Sequence, residues 1–447
     1  MSHSWYRIAL FAGLSVLGLG VGVVYYRVKQ GAGVFYVGAF RLPAETLAEL
    51  EPSLQQMAEA LEAVPVYVEQ VPQQTYPLSA WGFRLDVPAT KEALHLAWEA
   101  TPFWKRLTTQ PRVQVAPLWK VNPEAFERTL ARYRFIERPP QDARLRYQGG
   151  QITILPEQAG QQIDPKPTMR ALMDALQYAS PDTPVKFALA TETLRPRLIA
   201  QQLSVITGEM GRYTTRFPGY QVHRNHNIRL AAQALNGRIL MPGERLSYNA
   251  TLGKRTPKNG FRLAPVIIRG EKQLGVGGGI CQVSSTLYNA ALLAELKIVR
   301  RANHSIPITY VPLGRDATVT DTGLDLVIEN PHPHPIAIAT EVGRSSVTVR
   351  ILGVPNPARR VILRTEQLAL KSPPVKEEPD PNLPVGVRKI KEKGSAGVKV
   401  ILWRLVYENG QLVRRERVAT SIYRAQPRVI RVGTKATAAS TRSTPDL

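Results

Sequence analysis

A single cysteine, Cys281, is present in 447 residues, so no intrachain disulfide can form and no cysteine-based zinc or iron–sulfur site can be built within one chain. Stability must come from packed cores. Acidic residues are also scarce: 35 Asp and Glu against 58 Lys and Arg leave a formal charge of +23. Such a surface favours polyanions at low and moderate salt, and charge alone does not choose between nucleic acid, anionic lipid and anionic wall polymer. No lysine follows the glycines of GVGGGICQVSS, which excludes a phosphate-cradling nucleotide loop. No nucleic-acid fold motif accompanies the charge, so nucleic acid is not an expected partner.

With 44% hydrophobic residues and 36 prolines the chain reads as globular protein punctuated by loops, long enough for roughly three domains. A long uncharged, predominantly apolar run lies near the N-terminus, Ile8 to Tyr26, marked at its ends by Trp5, Tyr6, Tyr25 and Tyr26. Its length and aromatic ends fit a retained membrane-spanning helix rather than a cleaved signal. The flanking charges, Arg7 before it and Arg27 and Lys29 after it, do not favour an inside N-terminus.

From Thr46 to Leu61 the pattern is that of an amphipathic helix interrupted by Pro52. Gly82, Asp86, Thr90, Ala93 and Leu94 recur as Gly160, Asp164, Thr168, Ala171 and Leu172, an offset of 78 that marks an internal repeat of an α+β element. ARLRYQGGQITIL reads as a hairpin turning at Gly149-Gly150. This region, most clearly RPPQDARLRYQGGQITILPEQAGQQID, resembles the peptidoglycan-binding domain that commonly precedes a VanW domain.

Downstream, NHNIRLAAQALNGRIL predicts a helix with Ile228, Ala231, Leu235 and Ile239 on one face and an Asn236-Gly237 stop. The helix beginning at Cys281 should turn Val283, Thr286, Leu287, Ala290, Ala291 and Ala294 to the core, and Cys281, Ser284, Ser285 and Tyr288 to another face. LGVGGGICQVSSTLYNAALLAEL, NHSIPITYVPLGRDATV and DLVIENPHPHPIAI together are very similar to the VanW family signature, over Thr214 to Ile351. The resemblance implies a bacterial envelope protein with its bulk outside the membrane. The linker KSPPVKEEPDPNLP is followed by an alternating region, and the stretch Arg364 to Thr434, punctuated by Gly386, Gly394, Gly397, Gly410 and Gly433, resembles the small all-β G-five module of wall-associated proteins.

The expected fold is therefore a multidomain α+β protein. A transmembrane helix occupies residues 1–30, an α+β peptidoglycan-binding repeat region 31–200, an α+β VanW domain 201–355, a small all-β module 356–434 and a disordered tail 435–447. The partners implied are peptidoglycan or anionic wall polymers, and the membrane through the N-terminal helix; the location implied is single-pass at the cell membrane, with no cofactor.

Cys281 begins a helix fed by glycines, where unpaired N–H groups and the helix dipole stabilise a thiolate and could receive an oxyanion. His304 is a candidate base, with Asp316 or Asp321 to orient it, an order similar to that of papain-like and transglutaminase-like thiol enzymes. Gly277, Gly278, Gly279, Gln282, Ser284, Ser285 and Asn303 are candidate substrate-binding residues. The histidines His223, His226, His332 and His334 lie on separate loops without carboxylates at ligand spacing, and no metal site is expected. Two readings stay open: a non-catalytic wall-binding scaffold, held first, and a Cys-His hydrolase or acyltransferase acting on stem peptides.

Overall fold

Pro52 falls at the third residue of the helix Leu50–Glu62, where its missing N–H would have had no intrahelical partner. It therefore starts the helix rather than interrupting it. The computed structural model describes Val23 and residues 30–268 and 271–435. Apart from Val23, the expected anchor Ile8 to Tyr26 lies outside the described residues, as does the tail from 436 onward. Among the described residues no helix is long and apolar enough to cross a membrane.

The chain divides into two compact units, residues 1–141 with 158–196, and 142–157 with 197–447. The first contains the repeat. Asp86 and Asp164 each cap a helix, Val87–Glu99 and Pro165–Leu176, with the carboxylate accepting from Ala89 N–H and Lys166 N–H respectively. Thr90 and Thr168 are fully buried at equivalent positions, and Leu94 and Leu172 are buried one turn on. Each helix follows a short strand, Phe83–Leu85 paired with Trp119–Val121, and Gly160–Ile163 paired with Thr191–Leu194. The identical spacing thus reflects one strand–cap–helix unit used twice. Around Trp81, which stacks on Tyr133 with ring centroids 5.6 Å apart, the core gathers Phe83, Phe126 and Phe187.

In the second unit the hairpin Arg144–Gln148 and Gln151–Leu155 turns at Gly149 and Gly150, both with positive φ. It belongs here, not with the repeat, because Ala143 and Leu145 bury against Leu203, Ile206, Ala337 and Leu352. A four-stranded antiparallel sheet runs in the order Gly208–Arg216, Ser346–Gly353, Ile336–Val342, Arg238–Leu240. The helices Val222–Leu235 and Ile280–Leu293 pack on it through Ile228, Ala231, Leu235, Val283, Leu287 and Ala290. The expected second face of the Cys281 helix is also enclosed: Ser284, Ser285 and Tyr288 are all fully buried. A period-3.6 wheel separates faces but does not show that a loop, here residues 315–319, covers the polar one.

The C-terminal region is all β, with sheets ordered Arg359–Lys371, Gly397–Glu408, Gln411–Tyr423, and Val375–Pro384, Arg428–Lys435, Arg388–Glu392. Its long hairpin turns at Asn409 and Gly410, with φ of 51° and 84°. Two successive left-handed residues are what a tight two-residue hairpin requires.

Candidate active site

Three glycines set up the site. Gly277 and Gly279 hold φ of 84° and 106°. A Cβ on Gly278 would lie 2.5 Å from the Pro265 carbonyl oxygen, so only glycine lets the hairpin Leu263–Ile268 and Glu271–Val276 cross there. Gly279 caps the helix Ile280–Leu293, and Cys281 follows in its first turn. The Ile280 and Gln282 N–H groups donate to the Gly277 and Gly279 carbonyls, which leaves the Cys281 N–H as the first-turn donor beside the thiol.

His304 and Asp316 come from the segment that follows the helix. His304 Nδ1 lies 2.7 Å from Asp316 Oδ2, and the same oxygen accepts from the His304 backbone N–H at 2.6 Å. With Nδ1 committed to the carboxylate, Nε2 is the nitrogen left for Cys281, which lines the same cavity as His304. Burial alone would lower the histidine pKa, but the bonds to Asp316 and Cys281 prevail and raise it to about 9. Burial likewise pushes the Cys281 thiol up, and the hydrogen bond and charge of His304 outweigh it, bringing the pKa below its ordinary value. Both shifts act in the direction of a thiolate beside an imidazolium. Cys281 Sγ is also 3.8 Å from Thr318 Oγ1 and 3.5 Å from the Val319 carbonyl oxygen.

Asp316 is wholly buried, and its other oxygen accepts from Arg301 Nη2 at 3.1 Å and from the Tyr423 hydroxyl. Burial raises its pKa, but His304 and the Arg301 guanidinium overcome that and keep it below the usual carboxylate value. Tyr423 comes from the end of the strand Gln411–Tyr423 in the all-β region, and its oxygen also accepts the Gly314 N–H at 2.7 Å. The same strand end supplies Ser421 to Arg301 and the Ile422 carbonyl to Asn303, while the Arg424 N–H donates to Ser305. Arg404, from the neighbouring strand, donates to the Leu292 and Leu296 carbonyls at the C-terminal end of the Cys281 helix. A cation at that end also complements the helix dipole.

A cavity of about 350 Å³ opens over Cys281, lined by Arg224, Arg255, Pro265, Val266, Ile308 and Tyr310, with Gly275 to Gly279 and His304. It lies near the lower end of ligand-site volumes, about 300–1,000 Å³, which suits a short segment of a larger substrate.

The sequence candidates thus separate into groups. Cys281, His304, Asp316 and the glycines Gly277, Gly278 and Gly279 converge on one place. Gln282 touches the cavity, but its amide is occupied by Thr215 Oγ1, the Arg216 carbonyl and Arg224. Ser284 and Ser285, expected as lining, sit behind the cysteine instead, where both hydroxyls donate to the Ala317 carbonyl and Ser285 accepts the Ala317 N–H. They anchor the loop that carries Asp316. Asn303 braces the histidine loop through the His304 and Ile422 carbonyls. Asp321, the other candidate orienting acid, pairs with Arg255 at 2.9 Å. His332 and His334 stack on each other, and His332 Nε2 meets the Ala294 carbonyl. Sequence reasoning missed Arg224, Arg301, Tyr310 and Tyr423, although Tyr310 lies within NHSIPITYVPLGRDATV, Arg224 beside His223 and Arg301 just before Asn303.

Three family models match the chain. They are "VanW like protein" over residues 223–352, "G5 domain" over 363–435 and "Putative peptidoglycan binding domain" over 105–183. The uncharacterized protein YoaR of Bacillus subtilis (strain 168) is 42% identical over 156 residues, 35% of this chain and 52% of that protein. The vancomycin B-type resistance protein VanW of Enterococcus faecalis (strain ATCC 700802 / V583) is 29% identical over 116 residues, 25% of this chain and 42% of that protein. The chain thus spans about half the length of the curated relatives it matches. Among solved structures, an IgA1 protease G5 domain is 29% identical, covering 17% of this chain and 93% of its own at a TM-score of 0.13. The HP0197 G5 domain is 20% identical, covering 17% and 97% at a TM-score of 0.12. This domain content is that of a cell-wall-associated protein. The chain thus carries, in this order, regions matching the peptidoglycan-binding, VanW-like and G5 models.

Proposed function

We propose that this protein is a wall-associated thiol hydrolase or acyltransferase that cleaves or exchanges amide bonds in peptidoglycan stem peptides. The single observation that carries the reading is the Cys281–His304–Asp316 alignment at the floor of an open cavity. The Cys281 thiolate attacks the scissile carbonyl carbon, and the Cys281 N–H at the helix start receives the oxyanion. The His304 imidazolium gives its proton to the departing amine as the C–N bond breaks, leaving a thioester and a neutral histidine. Water or a second amine, deprotonated by His304, then attacks the thioester and releases the thiolate, which restores the starting pair. Asp316 fixes the imidazole orientation throughout. The peptidoglycan-binding and G5 regions hold the polymer, and the segment Ile8 to Tyr26 tethers the chain with its bulk outside the membrane.

The deciding experiment incubates purified peptidoglycan with the protein and with Cys281→Ala, followed by muropeptide analysis. A change in muropeptide composition that the Cys281→Ala protein cannot produce supports the enzyme. Identical profiles together with equal wall binding would leave the scaffold reading, in which the matched domains only grip the wall.

A further inference from the structure

Of the cations around the cavity, one has no carboxylate partner among the described residues. Arg255 is buried and engages Asp321 and Asn249. His304 faces Asp316 and Cys281. Arg224, on the helix Val222–Leu235, makes no ion pair with any carboxylate among the described residues. Its Nη2 donates to the neutral Gln282 Oε1 at 2.7 Å, and its Nη1 is buried without a partner. Burial accordingly pulls its pKa below the ordinary value, with the charges of Tyr310 and Cys281 acting against that shift. An arginine nevertheless stays protonated in a protein. A buried guanidinium nitrogen with no hydrogen-bond partner is costly unless something arrives to accept from it. The one carboxylate in the lining, Asp321, is paired with Arg255, and Pro265, Val266, Val276 and Ile308 supply no anion.

We infer that Arg224 forms an anion subsite, and that the substrate carries a free carboxylate beside the reacting carbonyl, placed so that the acid meets Arg224 while the carbonyl carbon meets Cys281 Sγ. This deepens, and rests on, the thiol-enzyme reading. The substrate class becomes acidic peptides, not neutral amides or esters. Guanidinium is suited to the role because its planar donors match both carboxylate oxygens.

The test compares alkylation of Cys281 in the full chain by iodoacetate, an anion, and by iodoacetamide, its neutral counterpart. It is run at low salt and pH 9.5, above the value of about 9 to which His304 is raised, so that the imidazolium contributes less. At that pH an accessible ordinary thiol also ionises, so the comparison remains readable even if the enzyme reading fails. The iodoacetate-to-iodoacetamide rate ratio should exceed that of N-acetylcysteine by about tenfold. Arg224→Gln should return the ratio to the free-thiol value with little change in the iodoacetamide rate, and Arg224→Lys should restore part of it. A wild-type ratio equal to that of N-acetylcysteine overturns the subsite, as does a ratio that Arg224→Gln leaves unchanged. The enzyme reading is tested separately, by the iodoacetamide rate at neutral pH.

Discussion

Replacing Asp316 by Asn keeps the shape of the side chain and removes its charge, which makes it the sharpest probe of the pair it supports. In the wild type the carboxylate holds the His304 proton and so, through His304, the Cys281 thiolate. Without that charge, burial acts on His304 unopposed by Asp316 and lowers its affinity for the proton. Cys281 then loses its cationic partner and titrates at or above its ordinary value of 9.0. At pH 7 a thiol of pKa near 9 is only about 1% ionised, roughly a hundredfold below full ionisation. A more basic thiolate is intrinsically more nucleophilic, which offsets part of that loss. The net expectation is a slower iodoacetamide reaction at pH 7, with a midpoint moved toward alkaline pH. Stability should fall too: Arg301 stays buried without its counter-charge, a change worth about 3–5 kcal/mol when a buried pair is broken outright and less where Asn keeps a hydrogen bond. The assay is stopped-flow alkylation from pH 4 to 10, beside urea denaturation. An unaltered pH profile in a folded Asp316→Asn protein would refute the chain of argument from carboxylate to thiolate.

Further outcomes follow from the same geometry. Tyr423→Phe strips a charge-assisted bond from Asp316 and strands the Gly314 N–H, so urea denaturation should show a loss of about 1.5–3 kcal/mol although the residue lies in the C-terminal region. Gly279→Ala forces a side chain onto φ of 106° and against Arg224 and Ile228; it should cost about 1–3 kcal/mol and slow Cys281 alkylation. Asp86→Ala and Asp164→Ala should each cost about 1 kcal/mol by thermal denaturation, since each removes one helix cap from an equivalent repeat. A raised histidine pKa stabilises fully below its unfolded value of 6.5 and loses that contribution as pH climbs through about 9. The destabilisation caused by His304→Ala should therefore shrink across that interval, as followed by urea titration at successive pH values.

Local signals carried much of this structure. The Asp-capped repeat, the Asn-Gly hairpin and the glycine-fed cysteine helix are each set by chemistry within a few residues, so the sequence displays them directly. The histidine and its acid were visible as residue types in order, because they follow the cysteine along one continuous segment. Ser284 and Ser285 were misplaced because helical periodicity reports a shared face without reporting what covers it. Tyr423 was invisible for a different reason: it meets Asp316 across a sequence separation of 107, through strand pairing that no short pattern encodes. Arg224 looked like one of many surface cations until its surroundings showed a guanidinium without a counter-ion.

The strand end at Tyr423 also bears on how such chains can be recombined. A sequence boundary near residue 356 invites the view that the G5 region is a detachable cassette. Yet Leu402 belongs to the buried cluster of the cysteine helix, and Leu363 and Val418 pack against it. Gene fusions that exchange the C-terminal cassette for one lacking a tyrosine at this strand end would carry over both named domains and still leave the histidine loop unbraced. Inheritance of the chemistry is thus tied to co-inheritance of the two segments, and a shuffled descendant should keep its architecture on paper while losing its reactive thiol.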